Sequence, residues 1–145
     1  MLKKLIPIAL ILIVSALAFG LYAYFKESTD YSNKEPDTSI SLGELLQKVD
    51  TDTSALNKMR NQLVLINEAN VQTIQADSNM SVLVLGTSTS SSTVVAQIDP
   101  RHNDAVKKIK QGQTISIKGI FSDYTLDTDL GLGNTIQLNF CTLPQ

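Results

Sequence analysis

Residues 99–119, DPRHNDAVKKIKQGQTISIKG, have the pattern of a short helix that runs directly into a β-strand. Asp99 can cap the start of the helix, and Pro100 suits the first helical position. Gly112 can adopt the left-handed conformation that often ends a helix. The segment therefore predicts a helix inserted between strands of a β-rich domain.

Strand patterns lie on both sides of this helix. Three candidate strands precede it, at 62–76, 80–87 and 92–99, and two follow it, at 113–125 and 134–144. Three strands, a helix and two strands is the order of the OB-fold, a five-stranded Greek-key barrel in which that helix closes one end. A β-sandwich would need more strands and would not need the helix. The sequence therefore predicts a mainly β protein with short helices, built on an OB-fold barrel.

Two of these strands carry signs of irregularity. In the first strand the apolar positions change midway, from Leu63 and Leu65 to Ala69 and Val71, as in a bent strand. In the fourth, Gly119 is a predicted bulge or bend.

A leading helical region precedes the barrel. Ser41 is a predicted N-cap, with Glu44 three residues later as its capping-box partner. A second helical piece at 53–61 connects to the first strand. We expect the apolar stripe of the first helix to pack on the barrel, although a partner helix is an alternative. The stripe consists of Leu42, Leu45, Leu46 and Val49.

Residues 5–25 form an uncharged, apolar run. As a helix of about 1.5 Å per residue, the run is long enough for a hydrocarbon core of about 30 Å. Lys3 and Lys4 precede it, and Ala16 to Ala18 offer a cleavage site for a signal peptidase. Because the apolar pattern continues past Ala18, we expect an uncleaved transmembrane signal anchor rather than a removed signal peptide.

The short basic start favours an N-terminus inside the cytoplasm, although Lys26 and Lys34 balance it on the other side. This orientation predicts a single-pass protein of the cytoplasmic membrane, with its C-terminal domain facing the periplasm or exterior. The alternative is a protein secreted after signal cleavage.

The predicted organisation has three parts: the anchor at 1–25, a polar, flexible linker at 26–39, and the OB-fold domain with its leading helices at 40–145. Cys141 is the single cysteine, so no lipobox thiol follows the apolar run. Its alternation with apolar neighbours predicts a buried structural thiol.

Residues 40–144 resemble the bacterial tRNA-anti-like family of OB-fold proteins, which are small anchored or lipidated proteins, often from Bacteroidetes-type bacteria. The resemblance rests on SLGELLQKVDTDTSALNKM, on VVAQIDPRHNDAVKKIKQGQTISIKG, and on IQLNFCTL with its cysteine. Its best single marker is the pair Lys118–Gly119. Ala69 stands where the family often has glycine, and Phe121 where it has a further cysteine, which disfavours a disulfide for Cys141. The resemblance implies no catalytic residues.

The charge of the predicted domain disfavours nucleic acid as a ligand. Of the 12 Lys and Arg residues, three precede residue 27: Lys3, Lys4 and Lys26. The rest of the chain therefore contains 9 basic residues and all 14 Asp and Glu, which gives it a net charge of −5. A net acidic domain is repelled by phosphate backbones. Aromatic stacking residues are also few. The sequence therefore predicts a membrane-anchored, extracytoplasmic OB-fold binding or assembly module of unidentified ligand, with a protein as one candidate partner. An oligonucleotide- or oligosaccharide-binding OB domain, or a calcium-binding loop protein, is the alternative.

Catalysis and cofactor binding lack a sequence basis. His102 is the sole histidine, and although Asp99 and Asp104 lie near it, its position at the helix start predicts packing or capping. One histidine and one distant cysteine do not provide the three or four ligands of a metal site. Neither a G-x-S-x-G motif nor a glycine-rich phosphate loop is present. We therefore predict neither an enzyme nor a cofactor.

Ligand contacts are predicted at the segment 122–134, SDYTLDTDLGLGN. OB-folds bind ligands on the face of the second and third strands and on the loops joining strands one to two and four to five. The first of these loops is short here, so the second should dominate. A partner or cationic ligand, a calcium site and a plain solvated loop are all compatible with its composition. The candidate ligand-binding residues are Asp123, Tyr124, Asp127 and Asp129.

Overall fold

The computed structural model describes residues 2–26, 29–127 and 129–144. Its helices are α1 (Leu2–Phe25), α2 (Leu42–Thr51), α3 (Thr53–Met59) and α4 (Asn103–Val106), the last preceded by a 3₁₀ turn at Pro100–His102. Its strands are β1 (Thr38–Ser41), β2 (Leu63–Ala76), β3 (Ser81–Gly86), β4 (Thr93–Ile98), β5 (Thr114–Thr125) and β6 (Thr135–Thr142).

Strands β2 to β6 close into a barrel in the order β2-β3-β4-β6-β5, and β5 pairs back with β2. The β4–β6 pairing is parallel, and the other four barrel pairings are antiparallel. The connecting helix lies between β4 and β5, the third and fourth barrel strands. The structure therefore confirms the predicted five-stranded OB-fold.

Strand β2 bends as predicted, because it contains two irregularities. Its register with β5 shifts between Ile66 and Ala69, where Glu68 has a φ of 54°. A second shift, relative to β3, follows Val71. Before the first bend, Val64 and Ile66 belong to the hydrophobic core. Of the two positions in the predicted apolar pattern, Leu63 is buried outside that core and Leu65 is half-buried.

The connecting helix is shorter than its sequence pattern predicts. Asp99 does cap it, since the Asp99 Oδ1 atom accepts from the Arg101 amide at 3.0 Å. The α-helical part nevertheless ends at Val106, and turns follow up to Gly112. Gly112 has a φ of 83°, and its amide donates to the Val71 carbonyl at 2.7 Å. The chain must leave the helix early to make this contact with β2.

The leading helices pack on the barrel. Ser41 is the N-cap of α2, and its Oγ atom accepts from the Glu44 amide at 3.3 Å. All four residues of the predicted apolar stripe are buried in the core, which confirms that α2 docks on the barrel. Leu56 and Met59 of α3 join the same core.

The N-terminal third contains one strand that the sequence pattern does not predict. Strand β1 pairs in parallel with β2, from Thr38 with Val64 to Ser41 with Asn67. It begins two residues before the predicted domain start at residue 40. Residues 29–37, which precede β1 in the predicted linker, are named here the arm. The arm contacts the barrel, because Lys118 donates to the Ser32 and Lys34 carbonyls and the Leu63 amide donates to Asp37.

Helix α1 is long and apolar enough to cross a membrane. Its segment Ile6–Phe25 has a mean hydropathy of 2.4, and its side chains are exposed rather than packed on the barrel. A signal sequence would pass the same test of length and composition, so this observation is compatible with both predicted roles.

Candidate binding surface

The predicted ligand-binding residues divide between a strand and a loop. Asp123 and Tyr124 belong to β5, which continues to Thr125, so the loop between β5 and β6 begins only at residue 126. Asp127 and Asp129 lie in that loop, and residue 128 between them is outside the described residues. The structure thus separates two groups that the sequence suggested as one acidic loop.

Asp123 and Tyr124 connect β5 to helix α3. The Arg60 guanidinium donates to Asp123 Oδ1 at 2.7 Å and also lies 5.4 Å from the centre of the Tyr124 ring. The Tyr124 hydroxyl donates to Asn57 Oδ1 at 3.2 Å. Because the Arg60–Asp123 pair is exposed, its contribution to stability is small. Arg60 and Asp123 are thus exposed, whereas Tyr124 is partly buried against the core.

Asp127 organises the loop from within. Its carboxylate accepts hydrogen bonds from the backbone amides of Asp129, at 3.3 Å, of Leu130, at 2.9 Å, and of Leu132. These amides, Leu130 first, hold the pKa of the Asp127 carboxyl below its ordinary value. A calcium ion needs carboxylate oxygens directed at the ion, whereas here they are directed at the loop's own N–H groups.

A polar network that sequence reasoning missed attaches this loop to helix α2. Asp50 Oδ1 accepts from the Ser92 hydroxyl at 2.7 Å and from the Asn134 side-chain amide at 2.9 Å. Ser92 Oγ in turn accepts from the Asn134 amide at 3.0 Å, and Asn134 Oδ1 accepts from the Asp127 amide at 2.9 Å. Ser92 is buried, so the network anchors the loop at its base. No local pattern connects residues so distant in sequence.

The outward face of β3, β4 and β6 forms what we call the outer wall. Neighbouring positions pair across the strands: Val84 with Val95, Val95 with Gln137, and Gln137 with Asp123 of β5. The wall extends from the β2–β3 turn at one end to the β5–β6 loop at the other. Its side chains are uncharged, and seven of them are non-aromatic: Val82, Val84, Thr93, Val95, Gln97, Thr135 and Gln137. The aromatic side chain of Phe140, near the end of β6, is 40% exposed and lies 6.2 Å from the ring of Tyr31 in the arm.

A charged cluster lies where the arm meets the connecting helix. His102 Nε2 is 3.0 Å from Asp30 Oδ1, and the Arg101 guanidinium contacts both oxygens of buried Asp99. The Arg101 hydrogen bond lowers the pKa of Asp99, and the Ser32 amide, followed by His102, lowers that of Asp30. Among the described residues, Asp30, Asp99 and His102 are close enough to share a metal ion, but Arg101 already supplies the positive charge there.

The comparison with protein families agrees with this architecture. The model of the tRNA_anti-like family matches residues 1–132 of the 145-residue chain. The chain belongs to the tRNA_anti-like family. This family is a binding OB-fold domain and not a catalytic one, so the chain is an anticodon-binding-like OB domain with an N-terminal apolar helix.

Solved structures share the fold of this tRNA_anti-like chain at low sequence identity. A candidate nucleic acid-binding lipoprotein from Klebsiella pneumoniae superposes with a TM-score of 0.58 at 12% identity, covering 82% of this chain and 100% of its own. A candidate aspartyl-tRNA synthetase from Leishmania major has a TM-score of 0.47 at 11% identity, covering 88% of this chain. The aspartyl-tRNA synthetase of Entamoeba histolytica has a TM-score of 0.43 at 17% identity, covering 80%.

The two synthetases are much longer proteins, since this chain spans 25% and 26% of their lengths. At these identities the similarity to solved structures shows the fold alone. Curated proteins provide no match to the chain.

Proposed function

We propose that this protein is a membrane-anchored, extracytoplasmic binding module whose OB barrel holds a protein partner. The observation that carries this proposal is the uncharged outer wall. The partner surface would comprise that wall, Asp123 and Tyr124 beside it, and the β5–β6 loop with Asp127 and Asp129.

The composition of the wall suits a protein better than an oligonucleotide. OB-folds that bind single strands combine a basic groove with stacking aromatic side chains. Here Val84 and Val95 are half-buried neighbours at its centre, and Gln137 continues their row to the acidic side chain of Asp123. Uncharged centres with a polar rim are typical of protein–protein interfaces. The side chain of Tyr124 adds an aromatic contact at that rim.

Two basic residues outside the wall are engaged within the protein. Lys107, on the connecting segment, is paired with Asp104 at 2.6 Å. The Lys118 ammonium is buried against the arm, where it donates to the Ser32 and Lys34 carbonyls. Nucleic acid remains the second candidate, because the Klebsiella pneumoniae neighbour is described as nucleic acid-binding. Oligosaccharide binding has no comparable support.

The membrane part of the proposal rests on α1. Its apolar segment is exposed along its whole length, which is unfavourable in water and favourable in a bilayer. A helical anchor is preferred to a lipid anchor because Cys141, the single cysteine, is buried in the barrel. The basic start of the chain favours a barrel outside the cytoplasm. Protease added to intact spheroplasts should then degrade the barrel, whereas protection would indicate a cytoplasmic domain.

The partner can be tested by site-specific photocrosslinking in the native membrane with the full chain. A photoreactive residue at Val84 or Val95 should capture one discrete protein, whereas the same residue at Ser116, an exposed β5 position outside the wall, should not. Capture of nucleic acid instead, or equal capture from all three positions, would contradict the proposal. A salt-sensitive shift of labelled oligonucleotides by the full chain in nanodiscs would support the second candidate.

A further inference from the structure

A cleft of about 830 Å³ lies between the end of the β2–β3 hairpin and the segment that contains α4. It is at the opposite end of β3 and β4 from the β5–β6 loop, because Val82 pairs with Gln97 at this end and Gly86 with Thr93 at the other. Its lining includes Ile74, Ala76, Asn103, Val106, Lys107 and Ile109.

One side of the cleft is an open strand edge. The β2–β5 ladder ends where Asn70 pairs with Thr114. One residue further, the Val71 amide donates to the Gln113 carbonyl, and the Val71 carbonyl accepts from Gly112. Beyond Val71, within the residues that the structure describes, β2 pairs only with β3. The end of β2 therefore protrudes past the barrel with one side unpaired.

The direction of the backbone groups on this edge follows from the hairpin. The Asp77 amide donates to the Met80 carbonyl at 2.9 Å, so the backbone groups of Asp77 are directed toward β3. Because these directions alternate along a strand, those of Gln75 are also directed toward β3. The N–H and C=O groups of Ile74 and Ala76 are then directed away from β3, into the cleft.

The other residues that line the cleft provide polar, apolar and charged groups that can contact an added strand. Asn103 Oδ1 is buried and has no hydrogen-bond partner, although buried polar atoms are rarely left unpaired. Ile74 and Ile109 are partly buried against the core and give the cleft an apolar floor. Lys107 is neutralised by Asp104. Asp77 accepts hydrogen bonds from Ser78 but, among the described residues that line the cleft, has no ion-pair partner.

From this geometry we infer that the cleft binds an extended polypeptide segment, which adds as a strand to the open edge of β2. The segment exchanges backbone hydrogen bonds with Ile74 and Ala76, and a donor on it satisfies Asn103 Oδ1. One of its apolar side chains packs on Ile109, and a cationic side chain lies near Asp77. This site is separate from the outer wall and stands whether or not the wall binds a partner.

A polypeptide is the occupant that these groups favour. Two residues along a strand are separated by about 6.6 Å, which is the spacing at which a second strand presents its own N–H and C=O groups. Strand addition of this kind derives its affinity from the main chain and its specificity from alternate side-chain pockets. Exposed strand edges recruit further strands unless they are covered or charged.

The test uses the full chain in nanodiscs and a random heptapeptide phage library. We expect the wild-type protein to enrich a set of peptides from the library. These peptides should bind the Ala76→Pro variant at least about tenfold more weakly than the wild type, because proline removes the N–H directed into the cleft. The β2–β3 ladder does not use that N–H, so the fold should persist. The matched control, Ala76→Ser, keeps the N–H and should retain binding.

Asn103→Leu provides a second and independent variant. It removes an acceptor that is unpaired in the free protein, so the melting temperature should stay the same or rise while peptide affinity falls about tenfold. Equal peptide binding by wild type and Ala76→Pro would overturn the inference, and so would failure of the library to enrich any peptide. Binding of a twelve-nucleotide oligothymidylate that Ala76→Pro abolishes would assign the cleft to nucleic acid instead.

Discussion

Gly119 faces Cys141 across the β5–β6 ladder, so closely that a Cβ atom on Gly119 would lie 2.5 Å from Cys141 Sγ. Cys141 is fully buried, which confirms the predicted structural thiol, and burial raises its pKa. The register between β5 and β6 shifts beside Gly119, which confirms the predicted bulge. The glycine of the Lys118–Gly119 pair is thus required by the close approach of the terminal strand.

Gly119→Ala should destabilise the barrel by about 1–3 kcal/mol, the usual cost of overpacking a core. Combining it with Cys141→Ala should recover a large part of that loss, because the smaller side chain makes room for the new methyl group. Thermal unfolding of the full chain in nanodiscs, followed by circular dichroism, measures both effects. Strictly additive losses in the double variant would show that the two residues do not clash.

The OB-fold was predictable because its elements are local. Capping by Ser41 and Asp99, alternating strands and Gly112 are each specified by neighbouring residues. Strand β1 was not predictable, since TSIS resembles a polar linker and forms a strand only because β2 offers it an edge. The end of α4 was missed for the same reason, as it depends on the contact between Gly112 and Val71.

Ser92→Ala should loosen the β5–β6 loop at its base. The change leaves Asp50 and the Asn134 amide without the hydroxyl that joins them. Leaving a buried polar group unpaired lowers the free energy of unfolding by about 1–3 kcal/mol. Hydrogen exchange of the loop amides should increase, and the melting temperature should fall. Ser91→Ala is the matched control, because its side chain is exposed rather than part of this network, and it should change neither measurement appreciably.

The binding surface was less predictable than the fold. The sequence identifies the acidic residues but not their surroundings: Asp123 is paired with Arg60, and Asp127 is directed into its own loop. The partners of both side chains depend on the backbone around them. Arg60 is distant in sequence from Asp123, and the amides that bind Asp127 converge only when the loop folds.

Acid should destabilise the protein partly through Asp99. The Arg101 hydrogen bond lowers the pKa of Asp99 in the folded state below the unfolded value of about 3.9. Ionised Asp99 therefore contributes stability at all pH values above about 4, and this contribution is lost as the pH falls through the folded-state pKa. Unfolding free energies between pH 7 and pH 2 should decline less steeply for Asp99→Asn, which should also be less stable at neutral pH.

Asp104→Asn is the control for that measurement. The pKa of Asp104 is also lowered, by Lys107, but both side chains are exposed and the pair should add little to stability. If the unfolding free energy of Asp99→Asn fell as steeply with decreasing pH as that of the wild type, Asp99 would be excluded as the cause of the acid destabilisation.

Lys118→Met should release the arm from the barrel. The Lys118 ammonium donates to the Ser32 carbonyl at 2.8 Å and to the Lys34 carbonyl at 2.7 Å, and hydrogen bonds from charged groups contribute about 1.5–3 kcal/mol each. Trypsin cleavage after Lys34 should therefore accelerate about tenfold or more, because cleavage follows the population of the open arm. Lys108→Met, on the exposed connecting segment, should leave the rate unchanged. An unchanged rate in Lys118→Met would mean that other contacts hold the arm.

The two loop aspartates should differ in effect, because one shapes the loop and the other is free to contact a partner. Asp127→Ala removes the acceptor for the amides of Asp129, Leu130 and Leu132, so hydrogen exchange at these positions should increase. Asp129→Ala removes an exposed carboxylate and should leave that exchange unchanged. If the loop belongs to the partner surface, both variants should weaken crosslinking from Val84, Asp127→Ala by disordering the loop and Asp129→Ala by deleting a contact. Full crosslinking in both would exclude the loop from the surface and restrict binding to the outer wall.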